Sequence, residues 1–319
     1  MADARGRHSD SPKVSVIMNC LNSEKYLRDA IDSVYAQTYQ DWEIIFWDNA
    51  SSDSSPKIAQ SYDNRLNYFR GDITIPLYAA RNLALRQAKG NYIAFLDCDD
   101  SWLSNKLERQ VELFEKNRKI GLAYSNVEIL ESNGNRRNKF SSVQPSGQAF
   151  RQLLKNYNIN IATVMIRRES LNLSGYFFDD SMTICGDADL FLRIAYYHEI
   201  AFMSETTAVY REHGQNYTTR LIENFIIENE RILENLDKLH EGFFRIYNKE
   251  ISSFRHRAQL AVFLVLWKGR RNAEARKTAL KNILSSPLFL CLYILSFINF
   301  KSDRIELYYN IKSLLSKTT

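Results

Sequence analysis

The sequence predicts an α/β fold: a mostly parallel sheet flanked by helices, followed by a helical C-terminal region. Three observations carry this. Short apolar runs rich in β-branched residues alternate with stretches of helical periodicity from Lys13 to Phe114, the pattern of strand and crossover helix that builds a parallel sheet. The loops that close those runs hold carboxylates, at the positions where such sheets bind ligands. From Gln215 onward the periodicity is helical almost to the end of the chain.

Taken in order, Val14-Ser15-Val16-Ile17-Met18 has the length and character of a strand and gives way to the polar Asn19-Cys20-Leu21-Asn22-Ser23. Tyr26, Leu27, Ala30, Ile31, Val34 and Tyr35 then share one helix face, with Asn22 or Ser23 placed to cap it. A second strand, Glu43 to Trp47, runs into the loop Asp48 to Asp53; a helix passes through Ile58, and a short strand lies around Leu66 to Phe69. A third helix covers Tyr78 to Ala88, and Lys89-Gly90-Asn91 leads into the strand Tyr92-Ile93-Ala94-Phe95-Leu96. Past Phe114 the alternation stops. Ile120 to Asn126 and Ile161 to Ile166 read as strands, Glu131 to Gly147 as a long polar loop, and Asp187 to Tyr197 as a helix.

At 319 residues the chain exceeds one ordinary domain. The division expected is a disordered tail over residues 1–13, a catalytic domain over 14–215 and a helical region over 216–319. A composition 45% hydrophobic and 25% charged excludes wholesale disorder. The net charge of +5 is spread along the chain, so no nucleic-acid partner is expected. Residues 1–13 lack an apolar signal segment, and Cys20, Cys98, Cys185 and Cys291 form no C-x-x-C pair. Reduced thiols and a cytoplasmic location are the expectation.

The strongest local signal is Asp97-Cys98-Asp99-Asp100, directly after an apolar strand. Three carboxylates crowded at one sheet edge repel unless a cation or hydrogen bonds offset them. Mg²⁺ or Mn²⁺ would do so, bridging one or two carboxylates to phosphate oxygens. As a structural alternative, Asp99, Asp100 and Ser101 cap the helix through Leu107 and Val111. Asp48 also follows an apolar strand and should open onto the same edge. No strand is followed by G-x-G-x-x-G or G-x-x-x-x-G-K, so the dinucleotide and P-loop readings lose their main support.

With those motifs the chain resembles a family 2 glycosyltransferase of GT-A fold, a Rossmann-like sheet flanked by helices. That family's first strand reads V-S-V-I-I-P-T-Y-N and its second ends V-D-D-G-S-x-D; here stand Val14-Ser15-Val16-Ile17-Met18-Asn19-Cys20-Leu21-Asn22 and Asp48-Asn49-Ala50-Ser51-Ser52-Asp53. Ser33-Val34-Tyr35-Ala36-Gln37-Thr38-Tyr39, Ala80-Arg81-Asn82 and Asp97-Cys98-Asp99-Asp100 also match. The resemblance implies an inverting transfer of sugar from a nucleoside diphosphate donor, UDP being the expected nucleotide. The acceptor it implies is a hydroxyl of a glycan or lipid-linked molecule in surface polysaccharide synthesis, and the cofactor is Mn²⁺ or Mg²⁺.

Residue by residue, it implies donor contacts from Cys20, Asn22, Glu24, Asp48, Arg81, Asp97 and Cys98. The loop Asn19 to Glu24 and Asp48 would hold the base, Arg81 would lie near the base or phosphates, and Asp97 would reach the ribose. Asp99 would bind the metal. Gly186-Asp187-Ala188-Asp189-Leu190-Phe191-Leu192-Arg193 resembles E-D-x-D-L-W-L-R, whose first aspartate is the base; that makes Asp187 the catalytic residue, with Gly186 in place of the glutamate. Asp189 is the reserve. Tyr210-Arg211-Glu212-His213 resembles Y-R-x-H, which puts His213 at the metal or diphosphate.

Two other classes fit parts of the sequence. A sugar nucleotidyltransferase predicts a glycine-rich phosphate loop, and Asn19 to Glu24 contains no glycine. A catalytically degenerate nucleotide-sugar-binding or scaffold protein is favoured only by Ala50 and Gly186 at motif positions. Near the C-terminus, Lys268, Arg270, Arg271, Arg276, Lys277 and Lys281 precede an apolar stretch from Pro287 to Phe300. The stretch is short for a spanning helix. It suits either a helical hairpin packed on the protein or peripheral contact with the inner face of the cell membrane.

Overall fold

The computed structural model describes residues 12–173, 177–213, 221–284 and 287–297. The tail expected over 1–13 lies outside them except for its last two residues. The first half alternates as the sequence predicts: β1 (Val14–Cys20), α1 (Glu24–Tyr35), β2 (Trp42–Asp48), α2 (Ser55–Ala59), β3 (Leu66–Arg70), α3 (Leu77–Gln87) and β4 (Tyr92–Phe95). β1, β2 and β4 are buried along almost their whole length, which their Val, Ile and Phe content suits. Leu27, Ala30, Ile31 and Val34 form the buried stripe of α1, the helical spacing that lays one face on the sheet. Ser23 occupies the cap position of α1, but its side chain makes no capping bond.

Next come β5 (Ser101–Trp102), α4 (Lys106–Lys116), β6 (Ile120–Leu130), β7 (Arg136–Asn138), α5 (Phe150–Lys155), a 3₁₀ turn (Ile161–Thr163), β8 (Met165–Arg167), α6 (Ser170–Leu173), α7 (Gly186–Tyr197) and β9 (Glu199–Arg211). The sheet order is β3-β2-β1-β4-β8-β6-β9-β5, with β7 hairpinned onto β6. β3, β2, β1 and β4 are mutually parallel. β8 enters antiparallel between β4 and β6, so the sheet is mixed beyond β4. The register pairs Val14 with Trp42 and Cys20 with Asp48, so β1 and β2 end level.

Three elements differ from the expectation. The segment expected as a strand over Ile161 to Ile166 begins instead as the 3₁₀ turn, because the Asn160 side chain accepts the Ala162 N–H at 3.0 Å and folds the chain over. The polar loop Glu131 to Gly147 contains β7, closed by a turn in which Gly134 has φ 88°. α4 starts at Lys106 after Asn105, so Asp99, Asp100 and Ser101 cap no helix.

The chain divides into two compact units, residues 1–153 with 157–214 and residues 154–156 with 215–319. The first holds the sheet and a core running from Val14 through Ala208. The second is helical where described: α8 (Phe225–Asp237), α9 (Phe243–Ile246), α10 (Asn248–Lys268), α11 (Asn272–Asn282) and α12 (Pro287–Leu295). Its own core gathers Phe263, Trp267, Ala275, Ala279, Phe289 and Leu292. Among the described residues no helix is long and apolar enough to cross a membrane; the expected apolar stretch continues to Phe300, outside those residues.

Candidate active site

The loops after β1 and β2 are laced together by side chains acting on backbone. Asn22, at φ 52°, accepts the Ser52 N–H at 2.8 Å and gives its own N–H to Ser51 Oγ at 3.0 Å. The Glu24 N–H goes to Asp53 Oδ2 at 2.9 Å, and Glu24 Oε2 accepts the Ser54 N–H at 2.8 Å. Asn22 and Glu24 thus tie the loop after β1 to the loop after β2. Ala50 sits at φ 64°, a left-handed conformation that glycine adopts without cost and alanine does not. It is held there by its neighbours: Asn49 donates to the Ile75 carbonyl at 2.7 Å and accepts the Ile75 N–H at 3.2 Å.

Asp48 is fully buried, with both carboxylate oxygens engaged. Oδ1 accepts the Ser51 N–H at 2.8 Å; Oδ2 accepts Tyr68 Oη at 2.7 Å and Arg70 Nη1 at 2.5 Å. Arg70 also ties to the Ser51 carbonyl at 2.9 Å. Cys20 and Cys98 belong to the hydrophobic core, 1% and 4% exposed. Cys98 Sγ donates to the Asn19 carbonyl at 3.2 Å, and Cys20 Sγ lies 3.9 Å from Ser51 Oγ; the proximity of the two thiols is the main influence on both, pulling Cys20 down to about 7 and pushing Cys98 up.

At the end of β4 the acidic residues divide among different partners. Asp97 pairs with Arg81 of α3, whose guanidinium is almost wholly buried. Asp99 Oδ2 lies 2.9 Å from His213 Nε2. Burial and then the charge of Asp97 push the Asp99 carboxyl up, against the pull of His213. Asp100 is buried and accepts the Arg211 N–H at 2.9 Å. Burial, with Asp99 and Asp97 alongside, holds its carboxyl well above the usual range. The Tyr26 ring stacks on His213 at 5.8 Å and carries the Arg211 guanidinium at 4.3 Å. Tyr26 and Arg70 carry no sequence signal as site residues, because no spacing rule connects α1 and β3; Arg211 stands in the Y-R-x-H-like segment, where only His213 is given a role.

Asp187 stands in the first turn of α7, where the helix dipole favours negative charge. Tyr78 Oη donates to its Oδ1 at 3.2 Å. Burial raises the Asp187 carboxyl; Arg81, the Ala188 N–H and Tyr78 pull it back, and Asp97 adds to the rise. Asp189, two residues on, is fully buried and paired with Arg193 at 2.8 Å, so it holds the helix in the core. The structure therefore gathers Asp187, Tyr78, Arg81 and Asp97 into one chain of contacts, and Asp99, Asp100, Arg211 and His213 into a second beside it along the loop after β4.

A carboxylate and an imidazole 2.9 Å apart, with Asp97 adding charge beside them, are a pair of donors compatible with Mn²⁺, and Asp99 alone with Mg²⁺. Among the described residues no group of three or more His, Cys, Asp or Glu side chains is placed to hold a metal ion.

An α/β sheet with carboxylates and an arginine gathered beyond its parallel strands has its candidate site where open α/β sheets bind ligands, and the architecture is that of GT-A folds. Comparison with known proteins is specific: the family described as "Glycosyl transferase family 2" matches residues 15–173, and the chain belongs to that family. The UDP-Glc:alpha-D-GlcNAc-diphosphoundecaprenol beta-1,3-glucosyltransferase WfgD of Escherichia coli is 39% identical over 164 residues, 51% of this chain and 63% of WfgD. The uncharacterized glycosyltransferase MJ1057 of Methanocaldococcus jannaschii is 32% identical over 223 residues, 66% of this chain and 75% of that one. Among solved structures, the mannosyltransferase PcManGT from Pyrobaculum calidifontis, in complex with GDP-Man and Mn²⁺, superposes with a TM-score of 0.58 at 17% identity, covering 96% of this chain and 84% of that one. At that identity the likeness shows the fold alone.

Proposed function

We propose that the protein is an inverting, metal-dependent glycosyltransferase that moves a sugar from a nucleoside diphosphate donor, with UDP as the nucleotide, to a hydroxyl of a glycan or lipid-linked acceptor in surface polysaccharide synthesis. The observation that carries this is the pair of contact sets along the loop after β4, Asp187–Tyr78 with Arg81–Asp97 and, beside it, Asp99–His213. In this reading residues 14–215 are the catalytic domain and 216–319 an appended helical region.

The loops tied together by Asn22 and Glu24 receive the base, with main-chain groups near Cys20 and Cys98 doing the contacting, since both thiols point into the core. Asp48 shapes the same pocket; a direct bond from it to the base requires Tyr68 or Arg70 to let go. Asp97, oriented by Arg81, takes the ribose. Asp99 and His213 would hold Mn²⁺ or Mg²⁺, whose chemistry there is to neutralise charge on the leaving diphosphate. Asp187 accepts the proton of the acceptor hydroxyl, which attacks the anomeric carbon on the face opposite the diphosphate and inverts it. A carboxyl raised by its surroundings suits that task, because a base works best with a pKa nearer the working pH.

The helical region offers a second element of function. Leu280, Leu284, Leu290, Ile294 and Phe297 are exposed large apolar side chains, close in sequence to Lys277 and Lys281. This pairing suits peripheral attachment to an anionic membrane surface, where a lipid-linked acceptor is found.

The catalytic proposal is tested by screening nucleotide sugars for release of nucleoside diphosphate with and without Mn²⁺. Release that needs Mn²⁺ and is lost in Asp99→Asn is the expected result. Binding without turnover would favour the degenerate scaffold instead.

A further inference from the structure

Gly186 directly precedes the proposed base, and the structure leaves no room there for any side chain. A Cβ built at Gly186 would lie 2.7 Å from Cδ2 and 2.8 Å from Cε2 and Cγ of Tyr78, closer than real Cβ contacts come. The obstacle is the body of an aromatic ring rather than the end of a flexible chain. Tyr78 is 2% exposed and is fixed from two further sides, by the Phe178 ring at 5.2 Å and the Arg81 guanidinium at 5.3 Å. Phe178 is anchored in turn, its N–H and carbonyl both bonded to the Asn82 side chain at 3.0 and 2.9 Å. A ring so held has one polar atom, Oη, and it donates to Asp187 Oδ1.

We propose that Tyr78 is the positioning residue of the base: its ring occupies the space that a side chain at 186 would need, and its hydroxyl sets the orientation of the Asp187 carboxylate. This rests on the reading of Asp187 as the base. The hydroxyl remains a donor, because burial and the neighbouring Asp187 charge both disfavour its ionisation. A donor to a carboxylate favours the ionised form, so Tyr78 acts with Arg81 against the burial that raises Asp187. With Oδ1 engaged, the carboxylate's remaining lone pairs are those available to the acceptor hydroxyl. The charged and titratable groups around Asp187 are Tyr78 and Arg81 from α3, Asp97 from the loop after β4, and Tyr157 and Cys185. Tyr78 is the one whose bond to the carboxylate can be removed without disturbing a charge.

Tyr78→Phe keeps the ring and removes the hydroxyl. It should lower kcat about tenfold, the scale of one charge-assisted hydrogen bond, leave the donor KM unchanged, and move the acidic limb of the pH–rate profile upward by up to about one unit. Asp187→Asn is measured in parallel. If Asp187→Asn is inactive while Tyr78→Phe matches the wild type in kcat and pH profile, the positioning role is overturned and the base assignment stands. If Asp187→Asn retains full transfer, both fall. The packing half has its own test. Gly186→Ala should lower Tm and activity, and adding Tyr78→Ala to it should restore Tm toward that of Tyr78→Ala alone. A Gly186→Ala protein as stable and active as the wild type contradicts the proposal.

Discussion

Asp99 and Asp100 are adjacent in sequence and end in different places. Asp100 turns inward to the Arg211 N–H, and Asp99 stays at the rim with His213. The resemblance already set Asp99 apart as the metal residue with His213 nearby; what the sequence left illegible is the partner of Asp100, because the Arg211 N–H comes from the end of β9, more than 100 residues away. Asp187 carries the prediction that belongs at this scale. Its carboxyl is raised by burial, so the ionised form that the proposed base requires is lost as pH falls through a value above the ordinary Asp value of about 3.9. The acidic limb of kcat should therefore lie above that value. A limb at or below it, measured with a donor whose binding is constant over the range, would contradict the environment described for Asp187. Cys20 and Cys98 show what a motif position leaves open: their place beside the nucleotide loop follows from the strands, whereas the inward turn of both thiols depends on core packing.

The elements were legible where both sheet faces are covered. β1, β2 and β4 read as continuous apolar runs because they are buried along almost their whole length. β9 was not legible as a strand. Its register against β6 is broken near Ser125 and Asn126, and its burial loses alternation around Ser204 and Glu205. α7 was legible from its apolar spacing, but the assignment of Asp189 as a reserve base misses the geometry. Asp189 and Arg193 sit one helical turn apart, both fully buried. Removing one member leaves an uncompensated buried charge, so Asp189→Ala should destabilise the protein by about 3–5 kcal/mol. Urea unfolding checks this; a loss of activity with unchanged stability would return Asp189 to the list of chemical candidates.

For the whole molecule, composition and length indicated two units, and contacts divide the chain close to residue 215. The donor sugar and the acceptor are not legible at this scale, since they depend on pocket contacts rather than on the sheet. If the helical unit seats the enzyme on lipid, the full chain should co-sediment with vesicles containing anionic phospholipid at low salt. Replacing Leu284 and Leu290 with Ser should release it, and a chain that stays in the supernatant at every salt concentration would remove that role. As the proposed base, Asp187 serves transfer and not donor binding, which is given to the loop after β4. The most direct measurement follows nucleoside diphosphate release and donor binding together in Asp187→Asn, with Mn²⁺ and a nucleotide sugar that the wild type turns over. Transfer should fall by about 10²–10⁴ with donor affinity nearly unchanged; transfer at the wild-type rate would rule Asp187 out as the base.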